Sequence, residues 1–326
     1  MKITLQFVKK SGLAGILFSL SFLPAEAVIL FGAGNDANLT DPGTGLPFDA
    51  VGRVQSSLGA QNGGSGVHLG GGYMLTAAHI SQTETNTVTF DGTTTYQRDL
   101  NFSPVQIGNT DMRLFRLTSV PTVGAVNIYS GSDEFQNSGY LVGWGRGREE
   151  GSDLSTNTVP IAGSGTPLVR RWGTNDPTRT INDFNYTRSS TTYNFDAIET
   201  VLGNQSGNPS THGTGDFEAA ATVRDSGAGY FQEIDGVWYL TGLAVVIFQQ
   251  DPGNVTYGND VAWSGSTVGV DYGRPQGAGD ANVYVRISSY ADEIAMIIPE
   301  PSSAMMFTVT LAGLLMRRSR RPTASI

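Results

Sequence analysis

An all-β fold is predicted, and three observations predict it. Between residues 28 and 298 the chain is rich in Gly, Thr, Ser and Asn, and its apolar residues fall in short alternating runs separated by turn clusters. That is the pattern of half-buried strands, not of helices. Asp235-Gly236 lies between the runs Tyr230 to Ile234 and Val237 to Leu240, and Asp-Gly supplies the two positive-φ residues of a tight hairpin turn. Cysteine is absent, so sheet packing has to hold the fold together, and about 270 residues suffice for a core of that kind.

In chain order, residues 1–27 come first, with Lys2, Lys9 and Lys10, an apolar run from Leu13 to Leu23, then Pro24-Ala25-Glu26-Ala27. Basic, apolar and small-residue regions in that order make a secretory signal ending in an A-x-A site, so cleavage by signal peptidase is expected to leave Val28 first. The apolar run is shorter than the about 20 residues a bilayer span takes. Strands are expected over Val67 to Leu75, Thr87 to Phe90, Met112 to Leu117 and Gly229 to Val246. The polar stretch from Arg146 to Gly215, with Arg170-Arg171-Trp172 inside it, reads as a long solvated loop or binding rim. Residues 299–326 form a separate tail. Pro299-Glu300-Pro301 is followed by an apolar stretch, Met305 to Met316, and a basic cluster, Arg317-Arg318-Ser319-Arg320-Arg321.

The whole chain carries a net charge of −9 from 20 basic and 29 acidic residues. Setting aside the end segments removes three lysines and four arginines, leaving 13 basic residues, all arginine. It also removes Glu26 and Glu300, leaving 27 acids and a net charge of −14 for the body. Such a surface has no footprint for nucleic acid, which is excluded as a partner. No His, Asp and Glu cluster has zinc-ligand spacing, and no cofactor or metal is expected.

Chemistry is carried by three stretches: Leu75-Thr76-Ala77-Ala78-His79, Thr110-Asp111-Met112-Arg113-Leu114, and Val223-Arg224-Asp225-Ser226-Gly227-Ala228-Gly229. A serine hydroxyl needs an imidazole to take its proton, and the imidazole needs a carboxylate to hold its tautomer and stabilise its charge. His79, Asp111 and Ser226 fit those roles. Asp111 opens an alternating strand that would bury it partly, whereas the rival acids Asp91 and Asp99 open none. Gly227 and Gly229 permit a tight turn at the serine. His68, on a strand, and His212, in a polar loop, read as structural, and Gly143 and Gly145 read as marking a bend.

These stretches resemble the boxes of the trypsin-like (chymotrypsin-fold) serine peptidases, and the resemblance extends over most of the body. Gly64-Ser65-Gly66-Val67 with Tyr73-Met74-Leu75-Thr76 is similar to the strand pair before the family histidine. Val142-Gly143-Trp144-Gly145, Tyr239 to Val245 and Val283 to Tyr290 are similar to three later family strands. The resemblance implies two packed six-stranded antiparallel barrels, a short C-terminal helix and the triad in the seam. His79 and Asp111 would come from the first barrel and Ser226 from the second. It implies an oxyanion hole from the backbone N–H groups of Arg224 and Ser226, although the family has glycine where Arg224 stands. In the family the residue matching Asp225 pairs with a freshly cut N-terminal amine. No Ile-Val-Gly-Gly sequence is visible here. Val51-Gly52 is one place near the start of the barrel, and Arg224 or Arg274 is an alternative partner for Asp225.

The family's aspartate for basic side chains is replaced by Ala220. Val245 and Val246 stand where the family usually has Ser and an aromatic, which alters the hydrogen bonding of the triad aspartate. Asn282 narrows the pocket, and small or apolar substrate residues are expected. The tail resembles the PEP-CTERM sorting signal of Gram-negative bacteria, which implies a membrane segment processed by an exosortase-type enzyme and a protein destined for the cell surface or matrix. The basic cluster would stay on the cytoplasmic side. The expected function is therefore an exported serine endopeptidase acting on proteins or peptides. The alternatives are a catalytically weak or inactive surface module of the same fold and an esterase with the same triad. An α/β-hydrolase is disfavoured, because its triad order is Ser, acid, His.

Overall fold

The computed structural model describes residues 28–30, 37–57, 62–146, 168–188, 190–202, 215–222, 224–248 and 280–298. The signal-like segment 1–27, the tail 299–326, His212 and Arg274 lie outside them. The chain enters through a two-residue strand, β1 (Ile29–Leu30). The first sheet is built from β2 (Val51–Gln55), β3 (Gly64–Gly70), β4 (Tyr73–Ala77), β5 (Thr87–Thr89), β6 (Tyr96–Gln97), β7 (Val105–Gln106) and β8 (Met112–Arg116), in the order β6-β5-β2-β3-β4-β8-β7. Then follow β9 (Asn127–Ile128), β10 (Gly139–Gly143), β11 (Arg171–Asn175), β12 (Pro177–Arg188), β13 (Thr191–Leu202), β14 (Ala219–Ala220), β15 (Gly229–Ile234), β16 (Val237–Phe248) and β17 (Asp280–Arg286).

The second sheet runs β11-β10-β15-β16-β17-β13-β12, with β9 added alongside β16. β14 pairs instead with β1, Ile29 opposite Ala220. Both sheets are curled and almost wholly antiparallel. Among the described residues they hold seven and eight strands where six each were expected; β6 and β7 are two-residue edge strands, and β9 is a two-residue parallel pairing on β16. A 3-10 turn at Ile287–Tyr290 leads into the short helix α1 (Ala291–Ile297), which buries Ala291 and Ile294.

The sequence pattern explains these pairings. Asp235 and Gly236 take φ of 52° and 76° and close the β15–β16 hairpin, with Ile234 opposite Val237. In β8 the buried Met112 and Leu114 alternate with half-buried Arg113. One buried cluster joins the sheets, with Val67, Leu75 and Leu114 from the first and Val142, Phe231, Leu240 and Leu243 from the second. Apolar burial on this scale is the dominant favourable contribution to folding.

The stretch expected to be a polar loop is instead largely sheet. Residues 171–202 are mainly strands β11, β12 and β13, and Arg171 and Trp172 are buried rather than solvated. Arg170 lies over the Phe48 ring, 4.3 Å from its centroid, and pairs with Asp49. In the β12–β13 ladder Phe184 faces Phe195 and Tyr186 faces Tyr193, all four buried. Alternating aromatics supply the apolar face that a solvated loop would lack.

Candidate active site

His79 lies two residues past the end of β4, and Asp111 directly precedes β8, the strand that pairs with β4. The pairing therefore brings together two residues far apart in sequence. Ala78 donates its backbone N–H to the Asp111 carbonyl (3.1 Å), and the His79 N–H donates to Asp111 Oδ1 (2.7 Å). His79 Nδ1 lies 2.5 Å from Asp111 Oδ2. Both side chains are buried. Burial pushes the His79 imidazole below its ordinary value. Asp111 and Glu84 pull it up, and Arg188 pushes it further down. His79 Nε2, the atom that would face a nucleophile, is buried and has no hydrogen-bond partner among the described residues.

Ser226 arrives from the second sheet on the turn before β15. Gly227 takes φ of 84°, and a Cβ there would collide with Ser65 O, Thr76 Oγ1 and Ala77 N. The serine turn thus packs on the β3–β4 backbone that leads to His79, which only glycine permits. Ser65 N–H donates to Ser226 O (2.8 Å), and the Ser65 hydroxyl donates to Arg224 O (3.4 Å). No Ser226–His79 hydrogen bond is formed in this structure, since Nε2 has no partner among the described residues. Hydrogen bonds of this kind are commonly loose before substrate binds. Arg224 takes φ of 84°, the left-handed region that glycine enters freely and arginine at a cost. Burial lowers its guanidinium below the ordinary value, and Arg146 adds to this by repulsion.

Asp225 is wholly buried. Its carboxylate accepts from Gly145 N (2.7 Å), Thr222 N (2.8 Å), Thr222 Oγ1 (3.2 Å) and Val28 N (3.4 Å). Burial pushes the carboxyl up to about 6, against the pull of these bonds. A Cβ on Gly143 or Gly145 would meet this carboxylate, so these glycines do more than mark a bend. Arg224 is not among its hydrogen-bond partners among the described residues. Val51-Gly52 lies at the start of β2, paired with β3, and it is Val28 whose nitrogen reaches Asp225.

The residues expected to line the pocket lie on neighbouring strands. Ala220 is on β14, Val245 and Val246 are on β16, and Asn282 is on β17. Asn282 Oδ1 accepts from Ala221 N (2.8 Å) and its amide donates to Thr200 Oγ1 (3.1 Å), so its polar atoms are spent on holding the wall. Asp99 pairs with Arg116 (2.5 Å) and Asp91 caps its own turn, so both lie outside the site. His68 Nδ1 sits 3.1 Å from Gly124 O on the buried side of β3.

Sequence reasoning missed Tyr186. Its hydroxyl donates to Asp111 Oδ2 and lies 3.4 Å from His79 Nδ1. The Phe184, Tyr186 and Tyr193, Phe195 alternation was the available signal.

No family model and no curated protein matches the chain. Among solved structures it is similar to neuropsin, a serine protease expressed in the limbic system of mouse brain, at 15% identity and a TM-score of 0.47, over 80% of this chain and 98% of that one. It is also similar to the inactive form of an alanine mutant of Rv3671c from M. tuberculosis H37Rv, at 9% identity and a TM-score of 0.45, over 80% of this chain and 94% of that one. Likeness at this distance carries no argument about activity.

Proposed function

We propose that the chain is an exported serine endopeptidase of trypsin-like type. The observation that carries this reading is the buried His79–Asp111 pair, bonded through both the backbone and the imidazole, beside a serine turn that packs on the same strand pair. In this reading Ser226 Oγ attacks the scissile carbonyl while His79 Nε2 takes its proton, and the N–H groups of Arg224 and Ser226 receive the oxyanion. Collapse breaks the C–N bond, His79 gives its proton to the leaving amine, and water then hydrolyses the acyl-enzyme by the same route. The lowered imidazole suits a base that must be neutral. Ala220, Val245 and Val246 favour small or apolar substrate residues.

Signal peptidase would cut after Ala27 and turn the Val28 amide into an ammonium beside Asp225. Val28 has φ of 49°, an outlying value for a β-branched residue. That dihedral ceases to exist once Ala27 is gone, so the cut removes strain as well as giving the buried carboxylate its counter-charge. The tail at 299–326 would then direct the protein to the cell surface or matrix of a Gram-negative bacterium through an exosortase-type enzyme.

A second reading, a non-catalytic surface module, is favoured by the unpartnered His79 Nε2 and by Arg224. The test is fluorophosphonate labelling and casein hydrolysis by the exported chain and its Ser226→Ala variant. Wild-type labelling that the variant loses supports the peptidase. A correctly processed chain that neither labels nor cleaves supports the binding module.

A further inference from the structure

Asp111 needs something besides His79 to hold it, because a buried carboxylate is costly unless its acceptor sites are filled. Val245, on the strand where the resemblance expects a serine, has no side-chain donor. We infer that Tyr186 is a positioning residue of this site. Its hydroxyl donates to Asp111 Oδ2, the oxygen that also faces His79 Nδ1, and so fixes the carboxylate that orients the imidazole. This rests on the peptidase reading for its catalytic meaning and on geometry alone for the contact.

The hairpin is arranged to present that hydroxyl. Asn194 on β13 donates its N–H to the Asn109 carbonyl (3.0 Å), which ties the β12–β13 hairpin to the loop two residues before Asp111. Tyr186 lies opposite Tyr193 in the ladder, the ring centroids 5.3 Å apart, and packs edge-on to Phe195 at 6.1 Å. These contacts leave its ring little freedom. The charged and titratable groups facing His79 and Tyr186 are Asp111, Glu84, Arg188 and Tyr193. Burial and the Asp111 charge hold the Tyr186 phenol well above its ordinary value, so it stays protonated and acts as a donor throughout the range in which His79 titrates.

The test compares the full exported chain with its Tyr186→Phe and Tyr193→Phe variants. It measures the pH dependence of kcat and KM and follows the His79 imidazole by NMR, assigned by its loss in His79→Gln. Tyr186→Phe removes one charge-assisted hydrogen bond and keeps the ring. It is expected to lower kcat on the order of ten-fold with KM changed by less than about two-fold. With the donor gone, Asp111 attracts the imidazole proton more strongly, so the acid limb and the imidazole titration move to higher pH. Tyr193→Phe is expected to leave all four readouts unchanged. Equal effects from the two variants, or no shift from Tyr186→Phe in a chain that melts as wild type, would overturn the inference. If wild type hydrolyses nothing, the peptidase reading fails separately. The NMR titration then decides the contact, an upward shift in Tyr186→Phe supporting it and an unchanged one refuting it.

Discussion

If the chain is cut after Ala27 as proposed, inserting Gly-Ser between Ala27 and Val28 would leave the A-x-A sequence intact but keep the Val28 nitrogen an amide after processing, as it is in the structure. The effect on stability can be worked from Asp225. Its carboxyl moves from an ordinary 3.8 to about 6, driven by burial, and about two units at 1.36 kcal/mol each is about 3 kcal/mol. A carboxyl raised in the folded state binds its proton more tightly there. Its stabilising contribution is therefore complete below about pH 4 and lost as pH rises through about 6. A free ammonium at Val28, whose nitrogen as an amide lies 3.4 Å from Asp225 Oδ2, would favour the ionised carboxylate and oppose that loss. Urea unfolding at pH 4 to 8 should show the deficit of the inserted chain growing by about 3 kcal/mol between pH 4 and pH 7, on top of a pH-independent part from the Val28 dihedral that it retains. Adding Asp225→Asn to the inserted chain should abolish the difference in slope. Superimposable pH profiles for the processed and inserted chains would refute the argument that Asp225 takes its counter-charge from Val28.

Other expectations follow from single residues. Because burial lowers the His79 imidazole, the base stays neutral into more acidic solution, and the acid limb of kcat/KM should fall below the ordinary histidine range of about 6.5. A limb above that value contradicts the assignment. Arg224 already holds φ of 84°, so Arg224→Gly should change kcat by less than about ten-fold. A gain of about 10²-fold or more would mean that the arginine turns its N–H away from the oxyanion. Gly227→Ala combines a positive φ with backbone collision. It should cost about 2–4 kcal/mol in denaturant unfolding and abolish fluorophosphonate labelling, and a stable, labelled variant would show that the serine turn is not so constrained. Glu134 is buried and accepts from Arg286 Nε (2.9 Å) and Nη2 (3.0 Å) as well as from Ser288. Glu134→Ala leaves the guanidinium uncompensated and should destabilise by about 3 kcal/mol in the same assay.

The parts of the candidate site legible in the sequence were those whose proposed chemistry is local. His79, Asp111 and Ser226 each sit in a short stretch whose residue types follow from what the position requires, and the Asp235-Gly236 hairpin declared itself through the turn. Tyr186 was not legible in this way. It acts across the gap between sheets, and its strand was hidden because Thr, Asn and Arg on the outer face dominate the composition of residues 177–202. The period-2 placement of Phe184, Tyr186, Tyr193 and Phe195 carried the information that composition obscured. The proposed counter-charge of Asp225 was illegible for a related reason. No local motif in the body marks it, and Val28 comes within 3.4 Å of the carboxylate through the fold, with β1 paired to β14.

The most direct test is fluorophosphonate labelling of the processed chain, with its N-terminus sequenced, alongside the Ser226→Ala and His79→Gln variants. The account predicts an N-terminus at Val28, labelling of the wild type at Ser226, and none in either variant. A chain that begins at Val28, unfolds cooperatively and takes up no probe would contradict it and leave a binding module in its place.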